Sequence, residues 1–275
     1  MLLSFSTLAC PNWSFPQIVG AAAAHGFNGI DPRGIGAEID ITRLPRFNEE
    51  LPATLDLLAR HGLRMPCLNT SVVLVTPAQE RWEMMLEEAR RYADLAQRAG
   101  SLYLRIFGGA VPKGVTREQA TALARRHLRQ LSKLCASHRC QVLIETHDEW
   151  AASERMLQLL EGFAPAEAAV LWDIEHACLR GEAPAETARA LGSRVRHVHF
   201  KDVAIRQGKG VPRLLGQGEL PLKEFLAALR GIDYDGWICL EVEKRWHAED
   251  APDPEESLPQ FVKYMRENWG GREKK

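Results

Sequence analysis

The sequence lacks several features that would assign it to a familiar class. It has no basic excess, because 35 Lys and Arg stand against 36 Asp and Glu, so a nucleic-acid partner is not expected. No apolar run approaches the ~20 residues that cross a bilayer, and the first residues carry no basic stretch of a signal peptide. No GxGxxG motif follows the first strand-like run, which disfavours a dinucleotide-binding doubly wound sheet. The sequence therefore predicts a soluble protein without membrane or nucleic-acid partners.

Cysteine is present but forms no CxxC pair. The six cysteines lie mostly inside apolar segments, at positions 10, 67, 135, 140, 178 and 239. Disulfide frameworks are typical of small secreted domains, whereas a chain of 275 residues buries enough surface to be stable without them. We therefore expect reduced core cysteines and a cytoplasmic location.

Short, almost continuously apolar runs alternate with longer amphipathic segments along the whole chain. The apolar runs have the length and composition of strands buried on both faces of a parallel sheet. They cover residues 2–8, 29–33, 64–69, 102–107, 141–146, 169–174, 196–200 and 237–242. Helical patterns lie between them, at residues 14–25, 47–61, 79–99, 116–138, 152–162, 184–191, 221–229 and 255–267.

Eight strand–helix units in 275 residues give about 34 residues per unit. This count predicts an α/β fold in the form of a single (β/α)8 TIM barrel over residues 1–275, since a doubly wound sheet usually needs fewer strands. The polar residues 270–275 are expected to be a frayed tail.

Four consecutive strands of the second half end in residues that bind metal ions. Glu145 lies on the fifth strand, Asp173 on the sixth, His199 on the seventh and Glu241 on the eighth. The active site of such barrels forms at the carboxyl ends of the strands, so these side chains are expected to converge. Clustered carboxylates repel one another unless a cation joins them. Three carboxylates and one imidazole predict a divalent ion, Mn²⁺ before Mg²⁺ or Co²⁺, with Zn²⁺ as a further alternative.

Taken singly, each of these residues has a simpler explanation. An acidic residue after a strand is most often a helix N-cap, and a single histidine is usually a structural group. The metal interpretation rests on the occurrence of all four on successive strands.

Three cations are expected at the same rim, namely Arg33, Arg105 and Lys201. If they face the substrate, it carries a carboxylate or a phosphate, because the guanidinium group binds such anions as a planar fork. In the alternative, they balance the ligand carboxylates or pair with Asp31 and Asp202.

Two histidines follow the predicted ligands closely. His176 comes three residues after Asp173, and His147 comes two residues after Glu145. Both are predicted to contact the substrate; the alternatives are a capping or structural role for His176 and an interaction with Glu145 for His147.

Loops at this rim supply the remaining candidates. Trp13, in the first loop, is predicted to form a hydrophobic wall that excludes water from the pocket. Residues 203–220 form a long stretch rich in Gly, Arg and Lys, which is expected to be a loop that covers the site as a lid.

Five motifs carry a resemblance to a known family. They are I-E-T-H at Glu145, W-D-I-E-H at Asp173 to His176, H-V-H-F-K-D at His197 to Asp202, G-Q-G-E at residues 216–219 and W-I-C-L-E-V-E at Glu241. With these motifs the chain resembles the sugar phosphate isomerase/epimerase superfamily, the xylose isomerase-like barrels. The resemblance covers nearly the whole chain and implies the barrel fold and the four ligands. The endonuclease branch is not expected, because it draws extra histidines from earlier strands, and the third and fourth strands here offer none.

The resemblance implies a divalent-metal-dependent isomerase or epimerase of a sugar or sugar phosphate that acts through an enediolate. In the resembling epimerases the glutamates that match Glu145 and Glu241 serve as acid and base as well as ligands. Loss of a β-hydroxyl would instead give a dehydratase of a cyclic polyol or keto acid, of the inosose or 3-dehydroshikimate type. A non-catalytic sugar-binding barrel is the third alternative. The expected partner is a small sugar or polyol, and association into a homo-oligomer is left open.

Overall fold

The computed structural model describes residues 1–269, so the expected frayed tail at residues 270–275 lies outside the described residues. The strands are β1 (Leu2–Phe5), β2 (Cys67–Val73), β3 (Tyr103–Phe107), β4 (Gln141–Glu145), β5 (Ala168–Asp173), β6 (Val195–Phe200), β7 (Asp202–Arg206), β8 (Lys209–Arg213) and β9 (Trp237–Leu240). The α-helices are α1 (Phe15–His25), α2 (Leu51–Arg60), α3 (Gln79–Ala99), α4 (Arg117–Ser137), α5 (Ser153–Leu160), α6 (Ile174–Leu179), α7 (Pro184–Leu191), α8 (Leu222–Gly231) and α9 (Pro254–Trp269). Among these helices, none is long and apolar enough to cross a membrane.

Seven of the strands form one parallel sheet in the order β1-β9-β6-β5-β4-β3-β2. The backbone near residue 30 joins the two edge strands of this sheet. The Asp31 N–H donates to the Phe5 carbonyl, and the Ile30 N–H donates to the Arg64 carbonyl just before β2, each at 2.9 Å. The ring closes through these bonds, and the predicted single α/β barrel is confirmed.

The predicted second strand, at residues 29–33, forms isolated bridges rather than a regular strand. Pro32 and Pro66 lie in the two facing segments, and neither has an N–H to donate to a ladder. The third predicted strand accordingly begins as β2 at Cys67 instead of residue 64, and it extends to Val73.

Alternation along the central strands determines which side chains face the inside of the barrel. On β4, Ile144 packs in the large core between sheet and helices, whereas Leu143 belongs to a small apolar cluster that it shares with Leu171 of β5. Side chains on a strand alternate with a period of two. The next positions on the same face as Leu143 and Leu171 are therefore Glu145 and Asp173, at the carboxyl ends of their strands.

The chain after β6 folds into an antiparallel hairpin of β7 and β8 instead of the predicted loop at residues 203–220. Asp202, at the base of the hairpin, accepts hydrogen bonds from the backbone N–H groups of Gly216 (2.8 Å), Gly218 (2.9 Å) and Leu220 (3.2 Å). Its carboxylate thus ties the G-Q-G-E turn to the end of β6.

Replacing Gly218 by Ala is expected to destabilise the protein, because a Cβ at this position would overlap the Asp202 carboxylate. We expect the free energy of unfolding, measured in urea, to fall by about 1–3 kcal/mol. Gly20→Ala in α1 is the matched control, since open space surrounds that Cβ position. It should raise the free energy of unfolding by up to about 1 kcal/mol. Equal effects of the two substitutions would contradict the proposed anchoring of the turn.

Candidate metal centre

Four side chains from neighbouring strands of the ring converge at its carboxyl end. Glu145 ends β4, Asp173 ends β5, His199 lies on β6 and Glu241 directly follows β9. We call these four residues the ligand quartet. Their potential ligand atoms lie within 4.8 Å of one another, and all four residues are buried. The structure thus brings together the four residues that the sequence predicted as metal ligands.

The distances inside the ligand quartet suit a single ion. His199 Nδ1 lies 2.9 Å from Glu145 Oε1 and 3.1 Å from Glu241 Oε1. Donor atoms about 3 Å apart are expected along the edge of an octahedron with metal–ligand bonds of about 2.1 Å. Three carboxylates and one imidazole are also donors that divalent ions such as Mn²⁺ accept. The residues present therefore fit a divalent ion.

The outer oxygens of the ligand quartet face two buried cations. Arg105 Nε lies 3.3 Å from Glu145 Oε2. Lys201 Nζ lies 2.6 Å from Glu241 Oε2 and 2.7 Å from Asp173 Oδ2. Arg105 and Lys201 therefore occupy the positions expected of cations that balance the ligand carboxylates.

These contacts determine the charges of the ligand quartet. Burial alone would raise the pKa of Glu145, but Arg105 and His199 outweigh it and lower this pKa to about 2. At Glu241, His199 and Lys201 likewise outweigh burial and hold the pKa well below its ordinary value. Burial would lower the pKa of His199, but the two glutamates raise it to about 10. Both glutamates are thus ionised at neutral pH, and an ion would displace the second proton of His199 on binding.

A second polar layer adjoins the ligand quartet inside the barrel. His197 Nε2 lies 2.6 Å from Asp31 Oδ2, and both side chains are completely buried. Ligand-capable atoms of these two residues, His199 and Cys239 also lie within 4.8 Å of one another. Asp31 thus binds a histidine, and Asp202 binds backbone N–H groups. The alternative in which the rim cations pair with these two aspartates is therefore wrong.

A cavity of about 590 Å³ opens beside the ligand quartet, and both predicted substrate-contacting histidines line it. The rings of His147 and His176 are 4.1 Å apart, and His176 Nε2 lies 3.9 Å from Asp173 Oδ2. The other lining residues are Asp148, Ala151, Glu175, Leu179, Arg180, Gly208, Lys209, Gly210 and His247. The tip of the β7–β8 hairpin thus forms part of the cavity wall.

The two histidines of the cavity carry different charges. Burial would lower the pKa of His147, but Asp148 and Glu145 raise it to about 9. For His176, burial outweighs the attraction of Asp173 and lowers the pKa. At neutral pH the cavity therefore presents one imidazolium, which can only donate hydrogen bonds, and one neutral imidazole, which can also accept one.

Glu175 belongs to this cavity, although the sequence reasoning did not single it out. Its carboxylate lies 3.8 Å from Lys201 Nζ, and a Cβ at Gly210 would overlap it, so the hairpin packs directly on Glu175. Burial raises the pKa of Glu175 to about 7; Lys201 opposes this rise and Asp173 adds to it. In the sequence, Glu175 lies between Asp173 and His176 in the W-D-I-E-H motif. That position could have indicated a role in the site, but it also suits a residue that only separates the two.

The remaining predicted cation, Arg33, lies near Arg105. Arg105 donates hydrogen bonds to Asn69 Oδ1 and to the Thr70 carbonyl, each at 3.1 Å, and it lies over the Phe107 ring. Arg33 is 9% exposed, and no hydrogen bond or ion pair of its guanidinium is found within residues 1–269. Burial and the positive charge of Arg105 lower the pKa of Arg33 to about 10. Asn69 is a second residue that the sequence reasoning did not select.

Trp13 lies apart from the cavity that the two histidines line, and its contact with the substrate stays a prediction. It lines a shallow depression with Ile35, Arg245 and Trp246, and it is not among the described residues that line the cavity beside the ligand quartet. The reason is the position of its loop, which follows β1, whereas the cavity lies over the ends of β4 and β5.

The fold and the site together define a class of protein. Its members are barrels with a centre of carboxylates and histidines at the carboxyl ends of the strands. The chain belongs to the xylose isomerase-like TIM barrel family, whose model matches residues 19–268.

Individual proteins are similar to this chain in sequence or in structure. An inosose dehydratase of Lacticaseibacillus casei is 30% identical over 95 residues, which cover 29% of this chain and 32% of that relative's length. A probable 3-DHS dehydratase from Bacillus anthracis superposes with a TM-score of 0.79 at 21% identity, over 97% of this chain and 99% of the other. A D-allulose 3-epimerase from Methylomonas sp., in complex with D-allulose, also has a TM-score of 0.79, at 17% identity, over 98% and 97% of the two chains. At these identities the two structures show the common fold.

Adding Mn²⁺ to chelator-treated protein is expected to raise its melting temperature, because an ion that binds only the folded state stabilises that state. At a 100-fold excess over Kd the gain is about 2.7 kcal/mol, or roughly 5–10 °C for a chain of this size. Asp173→Asn should abolish the shift, since it removes a charged ligand. Glu161→Gln, at a surface ion pair with Arg125, is the control and should retain it. An unchanged melting temperature of the unmodified protein would contradict the metal assignment.

Proposed function

We propose that this protein is a divalent-metal-dependent isomerase or epimerase that removes a proton from the carbon next to a carbonyl group of a sugar or sugar-like polyol. The observation that carries the proposal is the ligand quartet, with two ionised glutamates on either side of His199 and a cavity beside it. The quartet would hold the ion, Mn²⁺ in our proposal, which when bound polarises the substrate carbonyl as a Lewis acid.

Glu145 and Glu241 are assigned the proton transfers. Each has one oxygen beside His199 and a second oxygen beside a cation, Arg105 or Lys201. Their lowered pKa values keep them ionised, so each can accept a proton from the substrate. Removal of the proton by one glutamate and its return by the other inverts a carbon centre, whereas its return to the neighbouring carbon gives an isomer.

The cavity residues are assigned to substrate binding. His147, as an imidazolium, donates hydrogen bonds to hydroxyl or carbonyl oxygens, and neutral His176 pairs with a second hydroxyl. The hairpin that packs on Glu175 forms one wall of this cavity.

Dehydration is the second candidate, and one specific observation favours it. Elimination of a hydroxyl group requires a proton donor at the leaving oxygen, and Lys201 and Glu175 provide two buried candidates 3.8 Å apart beside the ligand quartet. The similarity to an inosose dehydratase supports this alternative, although the matched segment covers only 32% of the length of that relative.

The cytoplasmic location and the association into a homo-oligomer remain predictions from the sequence.

Incubation with ketoses and cyclic polyol ketones in D₂O distinguishes the candidates. With Mn²⁺ present, we expect solvent deuterium at the carbon next to the carbonyl without loss of water, detected by NMR and mass spectrometry. Deuterium incorporation with loss of water would assign the dehydratase instead. Binding of a sugar without any exchange would overturn both and leave a sugar-binding barrel.

Glu145→Gln and Glu241→Gln should each slow the deuterium exchange by roughly 10²- to 10⁴-fold, because the amide neither accepts the proton nor carries the charge of a ligand. Exchange is followed at saturating Mn²⁺, so that weakened ion binding is separated from loss of the base. Glu161→Gln, at a surface ion pair with Arg125, is the control with unchanged exchange. A fully active variant of either glutamate would refute its assignment as acid or base.

A further inference from the structure

The guanidinium group of Arg33 is a buried cation without a partner. The residue is 9% exposed, its Nη1 atom is completely enclosed, and no acceptor for the group is found in the described part of the chain. A buried charge is normally paired and hydrogen-bonded, because its transfer from water is otherwise strongly unfavourable. An unpaired guanidinium inside a barrel therefore indicates a ligand that supplies the missing negative charge.

The neighbours of Arg33 increase this imbalance. Asn69 pairs in register with Arg105 on the adjacent strand, and the Asn69 N–H donates to the carbonyl of Pro32, next to Arg33. The three side chains thus belong to adjacent segments of the ring. Asn69 Nδ2 is also buried without an acceptor. The buried donors without an acceptor at this place are thus Arg33 Nη1 and Asn69 Nδ2, and Arg105, which is paired with Glu145, adds a second positive charge.

The acidic groups around Arg33 do not neutralise it. Glu145 faces Arg105 and His199 instead. Glu88 is within electrostatic range of Arg33, but its carboxylate accepts a hydrogen bond from the Ser71 N–H at 2.6 Å, and burial raises its pKa. No ion pair joins either glutamate to Arg33 within residues 1–269.

We propose that Arg33, Asn69 and Arg105 form a subsite for a carboxylate group of the substrate, which makes the substrate a sugar acid or a polyhydroxylated keto acid. The inference rests on the proposed function, because the subsite adjoins Glu145 of the ligand quartet. A carboxylate matches the planar donors of the Arg33 guanidinium and the amide of Asn69, with the charge of Arg105 nearby. Its single negative charge also suits a place so close to the carboxylate of Glu145, where a phosphate dianion would be repelled more strongly.

The proposal is tested by calorimetry and thermal shift on the full chain with Mn²⁺, using pairs of probes that differ only in the acid group. The first pair is D-gluconate and D-glucitol, and the second is D-glucuronate and D-glucose. We expect each acid to bind roughly 10- to 100-fold more tightly than its neutral partner, as for one charge-assisted hydrogen-bonded contact. Equal affinities would overturn the subsite, and tighter binding of D-glucitol 6-phosphate than of D-gluconate would overturn the choice of a carboxylate.

Variants of Arg33 separate ligand binding from a structural role. Arg33→Met should abolish the preference for acids and raise the melting temperature of the ligand-free protein, because it removes an unpaired buried charge. Arg33→Lys keeps the charge without the planar fork and should retain only part of the preference. Arg91→Met is the matched control: Arg91 pairs with Asp40 at 2.7 Å, so its loss should lower the melting temperature and leave the preference intact.

The result that contradicts the subsite is a lower melting temperature of ligand-free Arg33→Met together with an unchanged preference for acids. Failure of the subsite and failure of the proposed function are distinguishable. Deuterium exchange in neutral ketoses without any acid preference would leave the proposed function standing and remove the subsite. Tighter binding of acids without deuterium exchange in any carbonyl compound tested would support the subsite and contradict the proposed function.

Discussion

Repulsion among three buried carboxylates is the interaction around which the carboxyl end of this barrel is organised. Glu145, Asp173 and Glu241 lie within a few ångströms of one another and have almost no access to water. His199 lies between the two glutamates, and Arg105 and Lys201 hold their outer oxygens. The near-neutral net charge of the chain therefore conceals a local concentration of both signs, in which a divalent ion would replace the second proton of His199.

The placement of these charges follows from the geometry of the strands. Apolar side chains such as Leu143 and Leu171 fill the barrel below, and the same inward-facing row continues into Glu145 and Asp173 at the strand ends. The apolar layer and the charged layer thus belong to one alternating pattern. β4, β5, β6 and β9 pair in sequence across the sheet, so the distances within the ligand quartet are determined mainly by backbone register rather than by loops.

The hairpin after β6 links the H-V-H-F-K-D motif to the cavity beside the ligand quartet. Asp202 fastens the following turn through backbone N–H groups, and Gly210 brings the hairpin against Glu175. In the proposed reactions the ligand quartet is shared, and the outcome depends on which groups beside it donate a proton or bind the ends of the substrate. Specificity is therefore expected to reside in the cavity and at Arg33 rather than in the ligands.

The sequence by itself determined the alternation of strands and helices, the barrel class and the identity of four residues at the ends of consecutive strands, because hydrophobic periodicity and strand-end position are local properties. It also selected His147, His176 and the three rim cations. Only the tertiary structure decided their partners. Asp31 contacts His197, which is 166 positions later, and Lys201 bridges Asp173 and Glu241. Among residues 1–269, the Arg33 guanidinium has no hydrogen-bond partner. Trp13 lines a different depression, while Glu175 and Asn69 lie beside the predicted site residues Lys201 and Arg105. These outcomes depend on the closure of the ring, which brings distant strand ends together and leaves no trace in local sequence patterns.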